Sequence, residues 1–193
     1  MTGAGWYAVV IAGGSSRRFG SDKLEAMLGS ETVLDHALSA LPADWEVVVV
    51  GPVRKVGRPV TFVREEPVGA GPGAALVAGA REVAARGGQR MVALPGDAPA
   101  GGRAAVALAA SLTGAGTAVV AVDESGQVQP LQVAVAGTGL TALASHSPSA
   151  VAGISARKLV AQLCPRQTVL PRQLTADIDT VADAQHWLQR LPN

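Results

Sequence analysis

The sequence has a single cysteine, Cys164. That excludes an intrachain disulfide and a zinc cluster built on cysteines. Aromatic residues are scarce, at 3%, so small side chains have to close the core by packing tightly. No stretch approaches the ~18 consecutive apolar residues that span a bilayer. A basic patch, a long apolar run and a cleavage site are all missing from the N-terminus, so no signal peptide is expected and the chain reads as cytoplasmic. The three histidines, His36, His146 and His186, are scattered without metal-ligand spacing and are expected in surface or packing roles. A G-x-S-x-G nucleophile elbow is absent as well. So is an excess of either charge, with 16 Lys and Arg against 15 Asp and Glu. A balanced chain is neither a disordered tail nor a protein built to neutralise a nucleic-acid backbone, so any nucleotide bound is a small molecule.

What is present is 193 residues, 48% of them hydrophobic, enough for one α/β domain over residues 1–193. Short β-branched runs without helical periodicity predict buried strands at Trp6–Ala12, Glu46–Val50, Val60–Val63, Met91–Leu94 and Thr117–Val122. Leu131–Ala136 reads as a further strand, antiparallel to the others. Helices are expected at Thr32–Leu41, from Pro72 to Ala85, and at Ala104–Leu112, Gly139–Ser145, Ser155–Leu163 and Val181–Leu191. Alternating strands and helices predict a three-layer α/β/α sandwich around a mostly parallel sheet.

Ligands collect outside the carboxyl ends of such strands, so the residues after each run carry the functional reading. After the first run, Gly13 and Gly14 let backbone N–H groups approach a phosphate, and Arg17, Arg18 and Lys23 supply positive charge. The spacing is not that of a Walker A loop, and a solvated basic turn would have the same composition. After the third run, Gly69, Gly71 and Ala74 fit a loose dinucleotide fingerprint but follow the wrong strand. After the fourth, Asp97 sits in a Gly-Asp-Ala-Pro turn, as either a metal ligand or a helix cap. Late in the chain, Asp177 and Asp179 would face one side of an extended segment, with Thr180 able to cap the last helix. Asp97 together with Asp179 would suffice to hold Mg²⁺.

The segment Ala12-Gly13-Gly14-Ser15-Ser16-Arg17-Arg18-Phe19-Gly20-Ser21-Asp22-Lys23 resembles the A-G-G-x-S-x-R-[MF]-G-x-D-K signature of the MobA-like nucleotidyltransferases. Gly71-Pro72, Asp97-Ala98-Pro99, Gln129-Pro130-Leu131 and Asp177-Ile178-Asp179-Thr180 follow in the family's order. In spacing and length the chain is most similar to the molybdenum cofactor guanylyltransferases. The resemblance implies a Rossmann-like nucleotidyltransferase in which Ile11, Ala12, Gly13 and Gly14 cradle the nucleotide. Arg18 and Lys23 would bind its phosphates, Glu66 would help recognise the base, and Gly71 would line the pocket. Asp97 and Asp179 would hold Mg²⁺. The implied partners are GTP or another NTP and a small phosphorylated acceptor, molybdopterin. Gly73, Gly96 and Ala100 depart from the family's usual leucine, cysteine and large apolar residue. Because the Asp-x-Asp-Thr ending also occurs in cytidylyl-transferring relatives, a molybdopterin cytidylyltransferase stays open. A sugar- or polyol-phosphate nucleotidyltransferase and a non-catalytic nucleotide-binding regulator stay open too.

Overall fold

The structure, a computed structural model, describes residues 5–14, 22–114 and 117–189. Its centre is β1 (Tyr7–Ile11), a strand with every side chain buried. A short 3-10 turn (Lys23–Glu25) and a small hairpin of β2 (Met27–Leu28) and β3 (Glu31–Thr32) follow the signature segment. The chain then runs through α1 (Val33–Ser39), β4 (Glu46–Val50), β5 (Thr61–Val63), α2 (Pro72–Ala85), β6 (Arg90–Pro95) and α3 (Gly101–Ser111). It continues with β7 (Ala118–Val122), β8 (Val128–Ala136), α4 (Thr138–Ala144), α5 (Pro148–Val151) and α6 (Ala156–Gln162). It closes with β9 (Arg166–Val169), α7 (Arg172–Thr175) and α8 (Val181–Leu188).

Seven strands form one sheet in the order β5-β4-β1-β6-β8-β7-β9. Within it β8 alone runs against its neighbours. The three-layer, mostly parallel arrangement expected from the sequence is therefore what the chain adopts. Five of the predicted strands appear within a residue or so of their expected ends, and the antiparallel one begins three residues early, at Val128. The strand β9, the hairpin β2–β3, and helices α5 and α7 were not foreseen. In α8 the expected end at Leu191 lies outside the described residues.

Alternation along each strand sends side chains to two separate cores. Val47 and Val49 join Ala8, Val10, Val92 and Leu94 against α1 and α3. Their neighbours Val48 and Val50 join Val9, Ile11, Met91 and Ala93 against α2, α4 and α6. Central strands buried on both faces read as continuous apolar runs, which is why the sequence revealed them. Pro72 starts α2, where its missing N–H costs nothing, and the alanine-rich stretch that follows has high helix propensity. The helix stops in a turn where Gly87 and Gly88 N–H donate to the carbonyls of Ala84 and Val83.

The topology decides where a ligand can bind. From β1 the chain moves outward through β4 to β5, then crosses back over to β6 on the other side of β1. The loops after β1, β4 and β6 therefore diverge from one point, and crevices of this kind open where strand order reverses. Ile11 pairs with Val50 on one side and Pro95 on the other, so all three strands end level.

Candidate active site

The loop after β1 is tied down on both flanks. Ala12 N–H donates to Val50 and Gly96 N–H donates to the Ile11 carbonyl. Ala12 is buried and Gly13 and Gly14 are exposed, so the backbone meets solvent where the signature begins. Arg17 and Arg18 lie outside the described residues. The chain returns at Asp22, whose carboxylate accepts from Leu24 N–H and caps the 3-10 turn carrying Lys23.

Lys23 reaches across to two other elements. Its Nζ lies 2.6 Å from Asp97 Oδ2 and donates to Asp179 Oδ1 at 3.0 Å. Asp97 follows β6 in a turn where Ala98 N–H donates to Pro95. The next helix, α3, is capped at Ala100 without a side-chain bond, so Asp97 is not its cap. Ile178 is 1% exposed and its N–H donates to the Asp97 carbonyl at 2.8 Å. With Ile178 directed into the core, Asp177 and Asp179 point the other way, towards Asp97. Thr180 makes a capping box with Asp183 at the start of α8, which leaves Asp179 to the ion pair.

One carboxylate oxygen from each of Asp97, Asp177 and Asp179 lies within 4.8 Å of the others. The sequence reading held Asp97 and Asp179 as the acidic pair, and the fold adds Asp177. Three carboxylates this close repel one another unless a cation lies among them. Desolvation lowers the Lys23 ammonium, but hydrogen bonds and charge from Asp97, then Asp179, outweigh it and hold it above the ordinary lysine range. Asp177 keeps an exposed face yet is crowded on its inner side. That desolvation, followed by the charges of Asp97 and Asp179, raises its carboxyl. Hard oxygen donors clustered around one point suit Mg²⁺ or Mn²⁺, and Asp97, Asp177 and Asp179 fit such an ion.

Glu65 and Glu66 separate at the opposite wall. Glu66 is exposed and borders a hollow of about 370 Å³ between β5 and α2. Glu65 is 6% exposed and accepts from Gly69 N–H, and its Oε1 lies 3.8 Å from where a Gly13 side chain would begin. Its other oxygen is buried without a partner among the described residues. Gly71 caps α2 at φ 98°, a left-handed conformation that favours glycine. A hollow of about 500 Å³ beside α1 shares no lining residue with the acidic cluster. Its Arg58 already donates to four backbone carbonyls. His36 packs against Trp187 and hydrogen-bonds the Leu28 carbonyl, the packing role expected of it.

Residues 8–168 match the model of the MobA-like NTP transferase domain. The chain belongs to that family. It is 38% identical over 101 residues to the molybdenum cofactor guanylyltransferase of Acidiphilium cryptum (strain JF-5), an alignment covering 48% of this chain and 50% of that protein. The match thus spans about half the length of that relative. Molybdopterin-guanine dinucleotide biosynthesis protein A from Archaeoglobus fulgidus superposes with a TM-score of 0.63 at 17% identity, over 95% of this chain and 97% of that one. Rv0371C of Mycobacterium tuberculosis H37Rv in complex with manganese does so at 0.60 and 18% identity, over 97% and 100%. Both share the fold of this family member.

One departure from the family pattern has a packing reason. A side chain on Gly73 would begin 2.1 Å from the Ile154 carbonyl oxygen. The loop between α5 and α6 therefore fills the place the usual leucine would take, and Gly153 N–H donates to Ala70 beside it. Gly73→Ala is expected to lower stability by about 1–3 kcal/mol, as overpacking does. Thermal unfolding would show a melting point several degrees lower.

Proposed function

We propose that this chain transfers GMP from GTP to the terminal phosphate of molybdopterin, releasing pyrophosphate. The observation that carries the reading is the placement of one ammonium and three carboxylates at the level ends of β1 and β6, beside a glycine loop. The 38% identity to a molybdenum cofactor guanylyltransferase supports the acceptor. We place the reaction in the cytoplasm, where GTP is available.

An oxygen of the acceptor phosphate bonds to the α-phosphorus as the bond to the bridging oxygen of the β-phosphate breaks. That oxygen is already anionic, so no general base is needed. Backbone from Ile11 to Gly14 and Gly71 would hold the nucleoside. Lys23 would turn its ammonium to the α-phosphate, where negative charge builds, and Arg18 would hold the outer phosphates. A Mg²⁺ ion held by Asp97 and Asp179, with Asp177 beside them, would neutralise charge on the phosphates and on departing pyrophosphate. The protein's remaining contribution is alignment of the two reactants.

Base choice falls to Glu65 rather than Glu66 in this reading. A carboxylate accepts from two neighbouring N–H groups, and guanine presents N1–H and N2–H₂ side by side. Cytosine presents one donor beside two acceptors, which would repel the free oxygen of Glu65.

Heat stability with each of GTP, CTP, ATP and UTP, with and without Mg²⁺, tests the proposal. A ligand at about 100 times its Kd adds ~2.7 kcal/mol, or about 5–10 °C for a domain of this size. A Mg²⁺-linked rise with GTP alone is expected, reduced at least tenfold in affinity by Glu65→Gln. A rise with CTP alone would keep the reaction and change the nucleotide. No rise with any nucleotide would favour a non-catalytic role.

A further inference from the structure

Arg54 lies four residues beyond the end of β4 and belongs to none of the motifs above. It is 8% exposed, so its guanidinium has left water and needs fixed partners. Its Nε donates to Asp22 Oδ2 at 2.8 Å and its Nη2 lies 2.7 Å from the same oxygen. From the other side of the fork, Nη1 donates to the Ala12 carbonyl at 2.9 Å. One side chain therefore joins the two ends of the signature segment. Ala12 leaves β1 and Asp22 immediately precedes Lys23. The second oxygen of Asp22 is taken by Leu24 N–H at 3.1 Å, and Leu24 itself is 5% exposed in the core. Both chain neighbours of Lys23 are thus anchored, one through Arg54 and one through packing.

We propose that Arg54 is a positioning residue for Lys23, acting through Asp22. A lysine side chain has four freely rotating bonds, so the place of its ammonium depends on where its backbone starts. Arg54 fixes that start against the end of β1, level with Asp97. The guanidinium does not act on the nucleotide itself, because Asp22 Oδ2 and the Ala12 carbonyl already engage all three of its nitrogens. Arginine is needed because three nitrogens in a rigid fork serve a carboxylate and a carbonyl together, while lysine offers one nitrogen. The inference deepens the nucleotidyl-transfer reading and, for its kinetic half, rests on it.

The test compares wild type with Asp22→Asn, which keeps shape and removes the charge, and Arg54→Lys, which keeps charge and loses the fork. Two readouts are taken. The first is acylation of Lys23 by N-hydroxysuccinimidyl acetate, measured by peptide mass spectrometry with Lys158 as the reference. The second is the split of kcat and KM for GTP, with molybdopterin as acceptor. Both variants are expected to acylate several-fold faster at Lys23 than wild type, with Lys158 unchanged. Their kcat should fall about 10- to 100-fold, as misplacement of a reacting group by an ångström does, with KM for GTP changed far less. Unchanged Lys23 acylation in both variants overturns the proposal. So does a lower KM in Asp22→Asn, which would make Arg54 a phosphate ligand held back by Asp22. A lower melting point with kcat intact at 20 °C would leave Arg54 a fold-stabilising residue only and overturns it too. If wild type transfers no nucleotide, the functional reading fails, and the acylation result still decides the role of Arg54.

Discussion

Asp97→Asn is expected to lower kcat for nucleotidyl transfer by about 10³-fold or more, a loss of ~4 kcal/mol of transition-state stabilisation. Asparagine keeps the shape of the turn after β6 but offers a neutral oxygen where an ion needs a charged one. The Asp97 carbonyl, which receives Ile178 N–H, is untouched by the change. The acidic segment therefore stays docked and the effect falls on chemistry. Stability should move by less than about 1 kcal/mol, because two contributions oppose each other. The variant loses an ion pair to Lys23 that is largely out of solvent, and it relieves the repulsion among three carboxylates. Steady-state kinetics over a Mg²⁺ and Mn²⁺ series, with thermal unfolding alongside, checks both halves. A variant with normal kcat and unchanged metal dependence would exclude Asp97 as a metal ligand.

The elements around this site differ in how far the sequence revealed them. β1, β4 and β6 are buried on both faces, so hydrophobicity alone marks them, and their ends define the crevice. β9 escaped because it lies at the sheet edge with mostly exposed residues, Arg166, Gln167 and Val169 among them. A strand without a buried face has no alternating pattern to read. Asp97, Lys23 and the Asp177–Asp179 pair were legible because each follows a strand or falls within a family motif. That Lys23 lies within hydrogen-bond reach of both Asp97 and Asp179 was not, since it depends on Ile178 docking under the turn at Asp97. Arg54 and the inward turn of Glu65 beside an exposed Glu66 were harder still. A lone arginine after a strand carries no spacing signal, and its partners Ala12 and Asp22 are 42 and 32 residues away. Parallel pairing of β1 with β4 brings them together. For the two glutamates, which one turns inward depends on where β5 ends, and sequence reading places such boundaries least well. Gly73, a departure from the family's usual leucine, lies against the Ile154 carbonyl, a packing reason that only the fold supplies.

Lys23→Met should be the most informative single substitution, because it removes the cation from the carboxylate cluster without adding a polar group. Activity is expected to fall about 10²- to 10³-fold, the usual cost of losing one preorganised charge at the reacting phosphate. Stability should fall as well, and the fall should depend on pH. In wild type the Asp177 carboxyl is already raised, by desolvation first and then by the charges of Asp97 and Asp179, with Lys23 opposing them. Without Lys23 that opposition ends and the carboxyl rises further. An acid raised in the folded state binds more protons there than in the unfolded chain, so stability falls as pH increases. The loss begins near the ordinary carboxylate range, about pH 4, and is complete above the raised folded value. The difference in melting temperature between variant and wild type should therefore widen from pH 4 to pH 7. Mn²⁺ added without nucleotide should narrow it again, since a divalent ion would take the place of the missing ammonium. A difference that stays constant across that pH range, untouched by Mn²⁺, would show that Lys23 does not balance the charge of Asp97, Asp177 and Asp179.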